Sequence, residues 1–297
     1  MNKKQIESLL REKPGYLKHS YKRIKKTLFP NNSIEDIQEI VYNLRMEYYP
    51  RTPKKAFVAK IPKEKTIKKL YIHSNKELDP NNVIFLPDLH APFIKEGVLG
   101  FCKEEQLKYN CGTVIFAGDI IDGHAWSYHE HDPDGYSVGD ELLAAKEQLQ
   151  DWYRAFPNAI SCMGNHDLLI ERKARTIGLS KYFIKGFGDV IEAPKTWKFV
   201  LEHIQDNVLY KHGNVGDAFK VAKESRISTC QGHFHSKSFV QWSVSEKDAI
   251  FGLQVGWGAD RHEYAFDYGK SFTSKPIISL GAILDRGRTP IIKIMEL

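Results

Sequence analysis

Sulfur chemistry is scarce in this chain. Its 4 cysteines, Cys102, Cys111, Cys162 and Cys230, contain no Cys-x-x-Cys pair. That excludes a thiolate zinc knuckle and a secreted disulfide framework, and leaves buried free thiols. Long apolar runs are missing too. None approaches the ~18–20 residues that span a membrane, so no membrane partner is expected. The N-terminus carries charge with no apolar stretch behind it, which does not read as a secretory signal. A cytoplasmic location is the expectation. No internal repeat or low-complexity tract stands out.

Charge is present but unevenly spread. Residues 1–80 carry 19 Lys+Arg against 9 Asp+Glu, a surplus of +10; the rest carries 24 against 28, or −4. A basic front ahead of an acidic body suggests a polyanion-binding appendage, with nucleic acid as a candidate partner through the basic residues of 1–80. The acidic body suits a cation site. A chain of 297 residues can hold one large domain, or one of about 200–220 residues and a small one.

Residues 1–50 read as a helical module. Ile6, Leu9 and Leu10 mark one apolar stripe, which Pro14-Gly15 breaks. A second helix is expected over Tyr16–Leu28. Ser33-Ile34-Glu35-Asp36 has the form of a capping box opening a third, with Ile34, Ile37, Ile40, Val41 and Leu44 at helical period. Three short helices suit a helix-turn-helix module or a small docking domain. Glu35, Asp36 and Glu39 suit a helix dipole but repel DNA phosphates, so the second helix and the linker are the better backbone contacts. Residues 51–80, with Pro53, Pro62 and Pro80 among lysines and Pro50 just before them, read as a basic linker with one strand at Lys69–His73.

From Asn82 the pattern changes. Val83–Leu86, Thr113–Phe116 and Ala159–Cys162 are short apolar runs separated by helical stretches near 95–109 and 138–154. That alternation reads as α/β with strands buried on both faces. Beyond Asn207 the strands crowd: Val208–Lys211, Ser228–Gln231, Ser238–Trp242, Ala249–Leu253, Ile277–Leu280 and Ile291–Ile294. They suggest another sheet packed on the first.

Five polar blocks follow these runs. They are Asp88-Leu89-His90, Gly118-Asp119-Ile120-Ile121-Asp122, Gly164-Asn165-His166-Asp167, His212-Gly213 and Gly232-His233-Phe234-His235. Each is rich in metal-ligand atoms and sits where a strand ends, the place where α/β sites gather. Glycines let the backbone approach an ion closely. Alone, each block has a plain reading: a surface tripeptide, a turn, a helix N-cap, or two histidines on one face of a strand. Five in this order point to a two-metal hydrolytic centre for phosphate esters. Carboxylate, imidazole and amide oxygen suit Mn²⁺, Fe or Zn²⁺ alike, and Mn²⁺ is the expected ion.

The blocks resemble the calcineurin-like metallophosphoesterase superfamily, whose pattern is D-x-H, G-D-x-x-D, G-N-H-[DE], a lone H, then G-H-x-H. With its basic helical front, the assembly is similar to phosphoesterases encoded by some bacteriophages, which implies a bacterial host cell. The resemblance implies a catalytic domain over 81–297, built as packed β-sheets flanked by helices (α/β/β/α), beside the small α-helical N-terminal domain. It implies that Asp88, His90 and His235 hold one of two divalent ions, that Asn165, His212 and His233 hold the other, and that Asp119 bridges them. A metal-bound hydroxide would attack the phosphate ester with no covalent enzyme intermediate. His166 would act on the substrate side, and Asp122 or Asp167 would orient a histidine.

One departure matters. Protein phosphatases place a phosphate-gripping arginine after the second block's last aspartate, and here Gly123-His124 stands there. Phosphodiesters in nucleic acid or nucleotides are the expected substrates. The alternatives are a phosphomonoesterase or cyclic-nucleotide phosphodiesterase with a docking module, and a non-enzymatic metal-binding scaffold. Substrate contacts are expected from His124, from His129 in the polar insert Trp126–Asp140, and from Arg261 in the rim Asp260–Lys270. That rim also holds His262, Tyr264, Tyr268 and Lys270. Both segments have a plain alternative, a solvated loop and tyrosines supporting a sheet.

Overall fold

The computed structural model describes residues 2–13, 16, 21–33, 36–37, 40–41, 44, 77–128, 132, 134–269 and 273–295. They belong to two units, within 1–64 and 65–297. In the first unit, α1 spans Lys3–Glu12 and α2 spans Tyr21–Leu28. Asn2 and Gln5 close a reciprocal capping box on α1, satisfying donors that a helix start leaves open. Ser33 Oγ accepts from Asp36 N at 3.1 Å, and Asp36, Ile37, Ile40, Val41 and Leu44 are helical. Ile6, Leu10, Ile24, Phe29, Ile37 and Val41 are buried together, so three apolar stripes make one small core. The expected linker up to residue 76, with its strand at Lys69–His73, lies outside the described residues, as do Pro14-Gly15 and Ile34.

The second unit is a mixed α/β fold of two sheets with flanking helices. The first sheet has strand order β11-β10-β1-β2-β3-β4. Its members are β1 Asp79–Leu86, β2 Cys111–Phe116, β3 Ile160–Cys162, β4 Lys198–Val200, β10 Ser279–Leu284 and β11 Thr289–Ile294. The second has order β5-β6-β7-β9-β8, from β5 Glu202–Gln205, β6 Val208–Lys211, β7 Ser228–Gln231, β8 Phe239–Val244 and β9 Ala249–Gln254. β1, β2, β3 and β4 run parallel, as do β6, β7 and β9.

Strand periodicity sorts the side chains. Val83, Phe85 and Ile115 face the second sheet, where they meet Tyr210, Cys230, Phe251 and Leu253. Ile84, Leu86, Val114 and Phe116 face the other way, against Val98 and Cys102 of α3 (Val98–Lys108) and Leu149 and Trp152 of α4 (Val138–Ala155). Two sheets therefore enclose one core, and helices cover the outer face of the first. On the second sheet, α7 (Ala218–Ser225; α5 Leu169–Thr176 and the short α6 Phe187–Val190 precede it) lies so close to Gly252 that a Cβ there would stand 2.3 Å from Phe219 Cα.

Three expectations change. The last two strands are not part of the second sheet. β10 pairs antiparallel with β1, with Val83 opposite Ile283, and β11 with β10, because Ile283 and Ala282 complete apolar faces that β1 leaves open. β1 begins at Asp79, before the apolar run, since Asp79 pairs with Cys111 across a register shift. Strands β4 and β5, Lys-Phe-Val and Glu-His-Ile-Gln, are edge strands too short and polar to show an apolar run. All 4 cysteines are buried and free. Burial pushes the Cys111 and Cys162 thiols up to about 12, with nearby acidic charge adding to it, so they stay protonated.

Candidate metal centre

Every block follows the carboxyl end of a parallel strand: Asp88 after β1, Asp119 after β2, Asn165 after β3, His212 after β6 and His233 after β7. The two sheets thus aim five loops at one place. His90 (φ 54°), Asp119 (φ 42°) and His233 (φ 70°) adopt left-handed backbone. That region costs a residue with a Cβ about 1–2 kcal/mol, and strain of this kind gathers at functional sites.

Close approach holds the loops together. A Cβ on Gly164 would lie 2.0 Å from Asp119 Oδ1, and one on Gly232 would lie 2.3 Å from Asp88 Oδ1. The glycine of a later block makes room for the carboxylate of an earlier one. Backbone donors then fix those carboxylates: His166 N to Asp119 Oδ1 at 2.8 Å, and His233 N to Asp88 Oδ2 at 2.7 Å.

Ligand-type atoms converge in two clusters sharing Asp119. Asp88, His90, Asp119 and His235 each direct an atom into one group spanning no more than 4.8 Å, and Asp119, His212 and His233 do so in another. In the first, His90 Nε2 and His235 Nε2 stand 3.2 Å apart, and Asp88 Oδ2 is 3.4 Å from His235 Nε2. In the second, His212 Nε2 lies 3.1 Å from Asn165 Oδ1, 3.1 Å from His233 Nδ1 and 3.2 Å from Asp119 Oδ2. Asp119 Oδ2 is also 3.9 Å from His90 Nε2, which sets it between the clusters.

The tautomers are set from behind. A carboxylate or carbonyl can only accept, so His90 Nδ1 donates to Asp122 Oδ1 (2.8 Å) and His212 Nδ1 to the Ala117 carbonyl (3.1 Å). Each ring then turns an Nε2 lone pair inward. Lone pairs of nitrogen, carboxylate and amide oxygen facing one another repel unless a cation or proton lies between them. Two ligands about 2.0–2.2 Å from one ion stand about 2.8–3.6 Å apart, and every separation above but the 3.9 Å from Asp119 to His90 falls in that range. Asp88 Oδ1 is buried with no hydrogen-bond partner. The donor set fits two divalent ions.

Electrostatics agree. Burial alone would raise the Asp119 carboxyl, but His212, His166 and His90 outweigh it and hold it well below the usual carboxylate range. Asp88 behaves likewise, held down against burial by His212 and His235. Burial opposes charge on His212, yet Asp119 and Asp88 drive it well above the usual imidazole range. Such a proton occupies the place of a cation.

The remaining expected residues take varied places. His166 donates from Nδ1 to the Asp122 carbonyl, and its ring meets His90 edge-on at 4.8 Å. Asp122 orients His90. Asp167 orients no histidine: its carboxylate accepts from Gly164 N and Ile120 N, both at 2.9 Å, tying the second block to the third. Burial and the Asp119 charge push that carboxyl up to about 7. His124 is buried against Tyr264, ring to ring at 5.5 Å. Arg261 is exposed beside His262. His129 lies outside the described residues. Tyr264 accepts from Tyr136 N at 3.0 Å and so braces the insert.

Two aromatic walls were not foreseen. Trp257 stacks on His235 at 5.0 Å, and Phe266 meets His90 edge-on at 6.0 Å. Trp257 lies between two glycines just past β9, with Gly258 N donating to the Asp88 carbonyl at 2.6 Å. A tryptophan flanked by glycines at a strand end was the available signal. Glu141 was also missed; it accepts from His124 N and Ala125 N, both at 2.8 Å, and supports the turn after the second block.

No protein family and no curated protein matches the sequence. Among solved structures, Vacuolar Protein Sorting 29 from Cryptosporidium parvum is similar at 13% identity and TM-score 0.36, covering 73% of this chain and 97% of that one. Vps29 from Chaetomium thermophilum is similar at 10% identity and TM-score 0.33, covering 72% and 96%. Likeness at that level has no bearing on activity, so what the chain is rests on its own residues: a two-sheet α/β fold whose strand ends bring histidines and aspartates together as candidate metal ligands.

Proposed function

We propose that this chain is a dinuclear metal-dependent phosphoesterase acting on phosphodiesters of nucleic acid or nucleotides. One observation carries the reading: Asp119 Oδ2 lies between two clusters of inward-facing nitrogen and oxygen lone pairs. Two ions bound there, Mn²⁺ being the first to test, supply charge against phosphate oxygens and lower the pKa of a coordinated water toward ~7. Asp88, His90, Asp119 and His235 would hold one ion; Asp119, Asn165, His212 and His233 would hold the other.

The protein's own residues do the rest. Asp122 and the Ala117 carbonyl keep the ligating imidazoles in the required tautomer. With Nδ1 committed to the Asp122 carbonyl, His166 has Nε2 left to exchange a proton with the leaving oxygen. Trp257 and Phe266 wall the first cluster, one against His235 and the other against His90. The basic surplus of residues 1–80 suits an appendage that holds a polyanionic substrate.

The test is turnover of bis-p-nitrophenyl phosphate against p-nitrophenyl phosphate with Mn²⁺ added. Diester hydrolysis is expected, abolished in Asp119→Asn and strongly reduced in His166→Ala. A marked preference for the monoester overturns the substrate class. Unchanged activity in both variants overturns the site.

A further inference from the structure

Helix α5 and the turn after it form a surface that the metal centre does not use. Residues 168–188 carry 5 Lys+Arg and one acid, Glu171, a surplus of +4. The rest of 81–297 carries 19 Lys+Arg against 27 Asp+Glu, or −8. The segment is thus cationic, opposite in sign to the rest of 81–297.

The same strip exposes aromatic rings. Tyr182 is 88% exposed and Phe183 80% exposed, although folding normally removes such rings from water. Tyr128 is 56% exposed, with Lys173 Nζ 4.7 Å and Arg172 Cζ 5.4 Å from its ring centroid. The 3₁₀ turn Lys181–Phe183 lies against α5, the helix that carries Arg172 and Lys173.

That surface adjoins the centre. Leu169 N donates to the His166 carbonyl at 3.1 Å, so α5 starts directly from the third block. Met163 and Asp167 of that region line one pocket with Ile170, Ile184 and Lys185.

We infer that this strip, chiefly Tyr128, Arg172, Lys173, Lys181, Tyr182 and Phe183, binds single-stranded nucleic acid beside the metal centre. A single strand offers both complements together: phosphates for the cations and unpaired bases for the rings. Duplex DNA hides its base faces, and a basic protein partner is repelled. The inference deepens the phosphodiesterase reading and rests on it for the strand's role as substrate, while the binding itself can be measured alone.

The experiment uses the full chain and fluorescence anisotropy with labelled oligothymidylate, oligouridylate and a duplex. Tyr182→Ala/Phe183→Ala should weaken single-strand binding about tenfold or more, since a stacked base is worth ~1–3 kcal/mol. Arg172→Gln/Lys181→Gln should flatten the slope of log K against log salt by about 1.4, at about 0.7 per lost charge. These positions are exposed, and unchanged thermal unfolding would confirm intact folds. Unaltered single-strand affinity and salt slope in both variants overturn the inference. So does equal affinity for duplex with no effect of the aromatic variant. Vesicles of phosphatidylcholine with phosphatidylserine form a further arm: loss of vesicle binding with oligonucleotide binding intact assigns the strip to a membrane surface and overturns the inference. Hydrolysis of bis-p-nitrophenyl phosphate separates the two readings. Activity retained with no change in strand binding removes the strip alone; strand binding lost in the variants of a chain with no diester activity removes the enzyme reading alone.

Discussion

Replacing Gly164 with alanine tests the centre through a residue that supplies no ligand atom. The new Cβ would stand 2.0 Å from Asp119 Oδ1, 2.6 Å from Asp119 Cγ and 2.7 Å from Asp119 N. Ordinary contact begins near 3.4 Å, so the nearest separation is 1.4 Å too short. Rotating the carboxylate away does not relieve the clash with Asp119 N, which is backbone. It would also break the 2.8 Å bond from His166 N. The second block must therefore move, and with it the one oxygen that both clusters share. Overpacking of this kind costs about 1–3 kcal/mol, and each kcal/mol lowers Tm by about 2–4 °C in a domain of this size. Shifting a bridging ligand by about 1 Å costs on the order of 100-fold in rate. Gly100 in α3 supplies the control, because nothing lies within 4 Å of a Cβ there. Gly100→Ala should gain up to about 1 kcal/mol from helix propensity and leave the site alone. The assays are calorimetric Mn²⁺ titration, thermal unfolding of metal-free protein and diester turnover. Wild-type Mn²⁺ affinity in Gly164→Ala would refute the claim that Asp119 must occupy its observed position.

Chelation should lower Tm and Mn²⁺ should restore it, because ligand at 100 times Kd adds about 2.7 kcal/mol to the native state; a scan of Asp119→Asn should show no such gain. Asp122→Ala leaves His90 Nδ1 without its acceptor, so metal affinity should fall about 10–100-fold at the first cluster and stay near wild type at the second; equal losses at both, measured by metal stoichiometry, speak against two separable sites. Glu141 makes a pH prediction. Burial, with the Asp122 charge adding to it, pushes its carboxyl from 4.5 up to about 7, against the backbone N–H groups of Ala125, His124 and Gly123 that favour charge. A raised native pKa means the stabilisation is full below 4.5 and lost as pH rises through about 7. Glu141→Gln, which keeps one acceptor of two, should cost on the order of 1–3 kcal/mol in acid and less in alkali, read from urea midpoints; a gap that widens with pH contradicts the sign.

Much of the centre was legible before any coordinates. Asp88, His90, Asp119, Asn165, His212, His233 and His235 stand out as candidate ligands by residue type and by following apolar runs, because a parallel strand must be apolar to be buried and must end in a loop. Chain order and strand periodicity are local properties, and they carried the two-sheet α/β reading as well. Which sheet a strand joins is not local. β10 and β11 looked like members of the second sheet and joined the first, because only the folded core shows that Ile283 and Ala282 complete the faces beside β1.

The supporting parts lie at long sequence separation and needed the tertiary structure. Asp122 finds His90 from 32 residues away, and Asp167 finds Ile120 N from 47. Trp257 and Phe266 reach the histidines only because the chain beyond β9 returns across Asp88. The segment 168–188 carries no motif in the sequence, and only its exposure shows Tyr182 and Phe183 standing in water. Candidate ligand atoms are a matter of side-chain chemistry, which the sequence carries outright. Tautomer, enclosure and surface depend on what each residue packs against, and that is decided when the two sheets close on each other.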